Sequence, residues 1–174
     1  MEKGGVSVEV LFENSYTRNK ELLKEIYGYH YFKRKSVVVA LVALALCFVA
    51  NIVVALLGDA YNIEFIIIIP LFFAFHVYLY NRQVYTVLKR DQEVHGKEIT
   101  VQTIVTNDFI QNTSSTGSVN KLEYNKIKKA VQTKGLILLL SDAKLFYIFK
   151  KDSFTVGNKE EFISFLKYKG VKIK

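Results

Sequence analysis

Three histidines, a single cysteine and two aspartates in turn-forming stretches are the side chains through which this sequence could do chemistry. His30, His76 and His95 stand too far apart for ligand spacing, and no C-x-x-C or H-E-x-x-H accompanies them. His76 differs from the other two because it lies inside a long apolar run. An ionisable group in that setting is by default a candidate functional residue. His76 lies near the cytoplasmic end of its run, and it reads better as a neutral structural group hydrogen-bonded to Asn51 or to a carbonyl. Cys47 also lies mid-run and has no second cysteine to pair with, so it acts as a small hydrophobe. Asp142 and Asp152 are turn formers rather than a carboxylate pair. The chain holds no G-x-x-x-x-G-K-[ST], G-x-G-x-x-G or G-x-S-x-G stretch. The sequence therefore assigns no catalytic residue, no cofactor and no metal, and it reads as non-enzymatic.

Those residues sit in, or beside, two apolar runs. Ser36 to Leu57 is 22 residues without a charge, and a helix of that length is roughly 33 Å long, enough to cross a hydrocarbon core of about 30 Å. Ile63 to Tyr80 is shorter and contains Pro70, the only proline. It spans roughly 27 Å and can lengthen past Arg82, whose guanidinium snorkels to the headgroups. Lys33, Arg34 and Lys35 precede the first run, and Arg82, Lys89 and Arg90 follow the second. The stretch between the runs has no basic residue but carries Asp59. By the positive-inside bias the hairpin tip faces outward and both termini are cytoplasmic, in a multi-pass protein of the cell membrane. Tyr27, Tyr29, Tyr31, Tyr78, Tyr80 and Tyr85 mark the same boundaries. Asn112-Thr113-Ser114 matches a glycosylation acceptor by chance, since this topology places it in the cytoplasm.

The chain has 174 residues and a formal net charge of +8. Residues 81–174 carry all of that excess. A basic segment tethered to a membrane face sits beside anionic lipid, where each well-placed Lys or Arg is worth about 1 kcal/mol; a lysine-rich solvated surface, oriented by the tether alone, accounts for the charge equally well. Nucleic acid is disfavoured as a partner because the lysines are scattered and no recognition motif accompanies them.

Three segments follow: 1–35, 36–81 with spans at about 36–57 and 63–80, and 82–174. In the first, Gly5 to Glu13 alternates as a strand with Val6, Val8, Val10 and Phe12 on one face. It is expected to pair with the sheet formed by the third segment. From about Ser15 to Lys35 the apolar spacing becomes helical, placing an amphipathic helix along the interface or merging it into the first span. In the third, the helix of the second span continues over Arg82–Val94. Strands follow at 97–105, 108–114, 117–124, 127–133, 136–140 and 144–150, separated by turn residues. Their spacing predicts one antiparallel meander, with the apolar strands at 136–140 and 144–150 as its central hairpin. Asn158 and Glu161 have the form of a capping box before the stripe Phe162, Phe165 and Leu166, and Gly170 can close that helix. A single amphipathic helix after six strands closes the open end of a bent sheet.

The stretch Tyr147-Ile-Phe-Lys-Lys-Asp-Ser-Phe-Thr-Val-Gly157, followed by Glu160-Glu161-Phe162 and Phe165-Leu166, resembles the YcxB-like family of small bacterial membrane proteins. The resemblance implies a pleckstrin-homology-like C-terminal domain. Lys150-Lys151-Asp152-Ser153-Phe154 occupies the family's turn, with lysine where many relatives have proline. Ser153, Phe154, Asn158 and Glu161 then form a structural motif that sets the start of the helix, and no catalytic role attaches to them. The fold class expected is α+β: a two-helix transmembrane hairpin plus a cytoplasmic antiparallel meander, a pleckstrin-homology-like partial barrel, closed by a C-terminal helix. Lys33, Arg34, Lys35, Arg82, Lys89 and Arg90 are its membrane-interface residues. The expected partners are the lipid bilayer, anionic lipid headgroups, and a protein partner or a second copy of the chain. The expected function is a membrane-anchored binding module. The alternative is an accessory or assembly subunit that acts through its hairpin.

Overall fold

The structure, a computed structural model, describes residues 9–32, 35–57, 63–96, 98–143 and 145–174. It is α+β and divides into two units. One combines the residues up to Asn19 with Asp91–Lys174, and the other is Lys20–Arg90.

In the strand unit, β1 (Phe12–Thr17), β2 (Thr100–Val105), β3 (Phe109–Ser114) and β4 (Val119–Glu123) lie in one sheet with β8 (Phe154–Val156), in the order β4-β3-β2-β1-β8. A second sheet holds β5 (Ile127–Gln132), β6 (Leu136–Ser141) and β7 (Phe146–Lys150) in sequence order. The one-turn 3-10 helix Tyr124–Lys126 carries the chain from one sheet to the other. Helix α4 (Lys159–Tyr168) follows β8.

The expected strand at Gly5–Glu13 is shifted. Its first four residues lie outside the described residues, and the strand seen begins at Phe12 and runs on to Thr17. Of the expected face, Phe12 is buried and Val10 is exposed before the strand begins; Asn14 and Tyr16 continue the buried parity of Phe12, while Glu13, Ser15 and Thr17 are half-buried. All six residues of β1 pair with β2, from Phe12 opposite Val105 to Thr17 opposite Thr100. That pairing holds the backbone of Ser15–Thr17 extended, so α1 starts at Lys20 rather than near Ser15 and ends at Phe32.

The single meander is also corrected. The chain makes two sheets, and the apolar hairpin β6–β7 belongs to the smaller one, with β7 at its edge. A short strand before the last helix, β8, was not expected. It pairs with β1 from Glu13 opposite Val156 to Asn14 opposite Phe154.

The core of this unit lies between the sheets and α4. Phe162 and Leu166, the apolar stripe of α4, are fully buried beside Phe149, Ile137 and Ile110. The rings of Phe149 and Phe162 are 4.4 Å apart, and Phe12 meets Phe162 edge-on at 5.4 Å. Each such buried aromatic side chain contributes about 2–3 kcal/mol through area removed from water.

In the helical unit, α2 (Lys35–Leu56) follows α1, and α3 (Ile63–His95) continues unbroken through Pro70. The helix expected after the second run is thus the same helix as that run. Among the described residues one helix is long and apolar enough to cross a membrane: Val37–Leu56, with mean hydropathy 3.0 and none of it buried. Val39, Leu46 and Leu56 are exposed on α2, and Ile67, Leu71, Phe73 and Tyr78 are exposed on α3. Each helix also has one less exposed stripe at helical spacing: Val37, Leu41, Leu44, Phe48, Asn51 and Ala55 on α2, and Ile69, Phe72, His76 and Leu79 on α3. Helix α1 buries Leu22, Leu23 and Ile26, and the Tyr80 hydroxyl on α3 donates to the Lys24 carbonyl at 2.6 Å.

Candidate functional site

The buried polar groups are engaged in holding strands together. Asn14 is fully buried at the junction of the two sheets. Its Nδ2 donates to the Lys150 carbonyl at 2.8 Å, and its Oδ1 accepts from the Lys150 N–H at 3.1 Å. One side-chain amide thus stands in for the strand neighbour that the edge of β7 lacks. The Thr103 hydroxyl donates to Asn112 Oδ1 at 2.7 Å, and Ser141 Oγ accepts from the Leu145 N–H. Among the described residues no buried side-chain nitrogen or oxygen lacks a partner, and no group of three His, Cys, Asp or Glu is arranged to hold a metal. Burial pushes the Tyr16 phenol up to about 12 despite the nearby Arg18 charge. Tyr124, whose hydroxyl donates to the Thr106 carbonyl, is raised by burial and by the neighbouring Asp108. Both stay protonated near neutrality, so neither acts as a base.

The helix-start motif is assembled as a structural device. Asn158 Oδ1 accepts from the Glu161 N–H at 2.9 Å, which satisfies one orphan donor of α4. Phe154 packs between Phe149, at 6.2 Å between ring centres, and Phe162, at 5.6 Å. The Ser153 backbone does the positioning: its N–H donates to the Lys150 carbonyl, and its carbonyl accepts from the Ser15 N–H. Between β8 and α4, Gly157 adopts φ +72°, and its α-carbon lies so close to the Phe12 ring that a β-carbon would sit 2.9 Å from Cε1 and closer still to Cδ1.

The basic residues expected at a membrane interface are dispersed. Lys33 and Arg34 lie outside the described residues, and Lys35 is the first residue of α2. Arg82, Lys89 and Arg90 are exposed on α3. Arg82 borders an open groove of about 560 Å³ formed by Tyr27 of α1 and Leu79, Gln83, Thr86 and Val87 of α3. His76 Nδ1 lies 3.1 Å from the Phe72 carbonyl one turn earlier. Asn51 donates to the Cys47 carbonyl of its own helix, so the structure joins His76 to a carbonyl and does not join it to Asn51 in any bond described.

A different set of cations is brought together at one end of the strand unit. That end is where the chain leaves β1 at Thr17 and returns to β2 at Thr100. Here the Arg18 N–H donates to the Ile99 carbonyl, and the Arg18 guanidinium pairs with nearly buried Asp91 at 3.0 Å. Strand β8 runs antiparallel to β1, so the β7–β8 turn sits level with Ser15. The Lys151 N–H donates to the Gly135 carbonyl in the β5–β6 turn, and the Lys151 ammonium donates to the Thr133 carbonyl at 2.5 Å. The Gln132 N–H in turn donates to the Lys174 carbonyl, because residues 172–174 run along the edge of β5. Lys134, Lys150, Lys151 and Lys174 are thereby stitched to one end of the unit. Their ammonium groups have no carboxylate within ion-pair distance among the described residues. Helix α4 closes the opposite end, where the Lys169 ammonium reaches Asn107 in the β2–β3 turn at 2.7 Å. The lysine group has only a local signal along the chain: Lys-Gly at one turn and Lys-Lys at another, with nothing to bring the turns together.

Residues 105–166 match the family model described as YcxB-like protein, so the resemblance read from the sequence holds from the end of β2 into α4. The match leaves out β1 and all three helices of the Lys20–Arg90 unit. No curated protein and no solved structure matches the chain.

Proposed function

We propose that this is a non-enzymatic integral membrane protein of the cell membrane. In this reading a two-helix hairpin, α2 and α3, holds a pleckstrin-homology-like recognition domain on the cytoplasmic face. That domain binds a protein partner or anionic lipid headgroups. The observation that carries the reading is the place of the helical unit in the chain. It is inserted between β1 and β2, which are adjacent strands paired along their whole length. Both ends of the insert are therefore held by one sheet on one side of any bilayer. A chain that leaves and returns to the same side crosses an even number of times. If α2 crosses, a second crossing is required, and α3 supplies the only other long helix of the described insert. Its exposed Ile67, Leu71 and Phe73 support that role.

Orientation rests on the flanks, basic on the side of the strand unit and without a basic residue at the tip. Two antiparallel sheets, of five and three strands, followed by a closing helix support the pleckstrin-homology-like reading.

The test is cysteine accessibility in intact cells, using a Cys47→Ser background with Ala60→Cys or Ser115→Cys. A membrane-impermeant maleimide is expected to label position 60 from outside and position 115 only after permeabilisation. Labelling of both from the same side overturns the topology.

A further inference from the structure

We propose that the lysine-bearing end of the strand unit, formed by Lys134, Lys150, Lys151 and Lys174, docks on the anionic phosphate headgroups of the leaflet that the hairpin enters. The proposal rests on the membrane-hairpin reading above and names the lipid-facing surface within it.

Three observations converge on this surface. The first is charge. Four ammonium groups share one end, Asp152 is the one carboxylate in the turns that carry them, and no carboxylate of the described residues pairs with any of the four. The second is presentation. Lys134, Lys150 and Lys174 are exposed, while half-buried Lys151 is fixed by its bonds to the β5–β6 turn. The backbone that carries the cluster is tied together by Lys151–Gly135, Gln132–Lys174 and Ser15–Ser153 hydrogen bonds. The charges are thus held on a rigid frame, and docking orders only the side-chain tips.

The third observation is position. This is the end at which the chain passes to α1 and returns from α3, the end opposite α4. Only Arg18 and Asn19 separate β1 from α1. On the return side, the helical stretch from Tyr80 to Asp91 spans roughly 17 Å. That stretch lies between the end of the second run and Asp91, whose carboxylate pairs with Arg18 at this end. A tethered surface needs only weak contacts to dock, because the tether keeps the bilayer within reach. Phosphodiester headgroups suit an array of ammonium point charges, which require no bidentate geometry.

The experiment uses the full chain in lipid nanodiscs, of phosphatidylcholine alone or of phosphatidylcholine mixed with phosphatidylglycerol. Each lysine is footprinted by a water-soluble acylating reagent and read by mass spectrometry. In the anionic discs acylation of Lys134, Lys150, Lys151 and Lys174 is expected to slow by about fivefold each and to recover at high salt. Lys159 and Lys167 on α4 keep their rates. The double variant Lys150→Gln, Lys151→Gln is expected to lose the protection at Lys134 and Lys174. Equal rates in the two compositions, or equal slowing at Lys159 and Lys167, would overturn the docking surface. Protection by inorganic phosphate in the phosphatidylcholine discs would overturn the bilayer as its source. Opposite-side maleimide labelling combined with composition-independent acylation rejects the docking and leaves the hairpin. Same-side labelling rejects both.

Discussion

Replacing Asn14 with alanine removes the one side chain that joins the edge of β7 to β1. Two hydrogen bonds disappear, at 2.8 and 3.1 Å, each worth about 1 kcal/mol net. The Lys150 N–H is then left facing a small apolar group, while the Lys150 carbonyl keeps the Ser153 N–H. A backbone group stripped of its partner costs about 1–3 kcal/mol when water cannot replace it. Asn14 itself is fully buried, but both bonds are only part-buried, so water can reach some of the vacated space and the lower part of that range applies. The expected loss is about 2–4 kcal/mol. The assay is equilibrium urea unfolding of the full chain in detergent micelles, paired with hydrogen exchange at the Lys150 amide. That amide should lose its protection even under conditions where the strands around it keep theirs. A loss below about 1 kcal/mol with the Lys150 amide still protected would refute the claim that Asn14 completes the junction.

Two further outcomes follow from the same geometry. Gly157→Ala combines φ +72° with a β-carbon driven into the buried Phe12 ring, whereas Gly170→Ala meets φ +78° with open space around it. The first is expected to cost about 2–4 kcal/mol and the second about 1 kcal/mol, compared by thermal unfolding; equal costs would refute the Phe12 contact. Tyr16 has a folded pKa of about 12 against 10.0 unfolded, so its stabilisation is complete below pH 10.0 and is lost as pH rises toward 12. Phenolate absorbance should rise together with unfolding across that window, and Tyr16→Phe should flatten the loss; an unchanged alkaline profile in the variant would count against the burial of Tyr16.

The elements that alternate cleanly were legible, and the joints between them were not. Val101, Thr103 and Val105 of β2 fall on one buried face and announce their strand. Strand β1 continues the parity of Val8, Val10 and Phe12, but it carries asparagine at its most buried position, and a polar residue there cancels the apolar signal. Strand β8 is three residues long, below the length at which a period of two can be recognised. The split into two sheets depends on the turn Tyr124–Lys126 and on the bridge from Asn14 to Lys150, contacts between residues far apart in sequence. The same distance hid the lysine group, since residues 134, 150, 151 and 174 meet only after four turns and a tail are in place. Capping at Asn158 and closure at Gly170 were readable because each is encoded within a few neighbouring residues.

The interruption of the sheet by the helical unit also dictates an order of synthesis. Strand β1 leaves the ribosome early, yet both of its neighbours, β2 and β8, are encoded far downstream. At about 5–20 residues per second, β1 waits roughly 4–17 seconds for β2 and roughly 7–27 seconds for β8. In the hairpin topology proposed above, the membrane segments are delivered before the sheet can close. A chain threaded with the wrong number of crossings would then strand β1 across the bilayer from β2, leaving the sheet without an interior strand. Sheet closure would work there as a checkpoint, in which a misthreaded chain is also an unfolded one and is exposed to proteolysis.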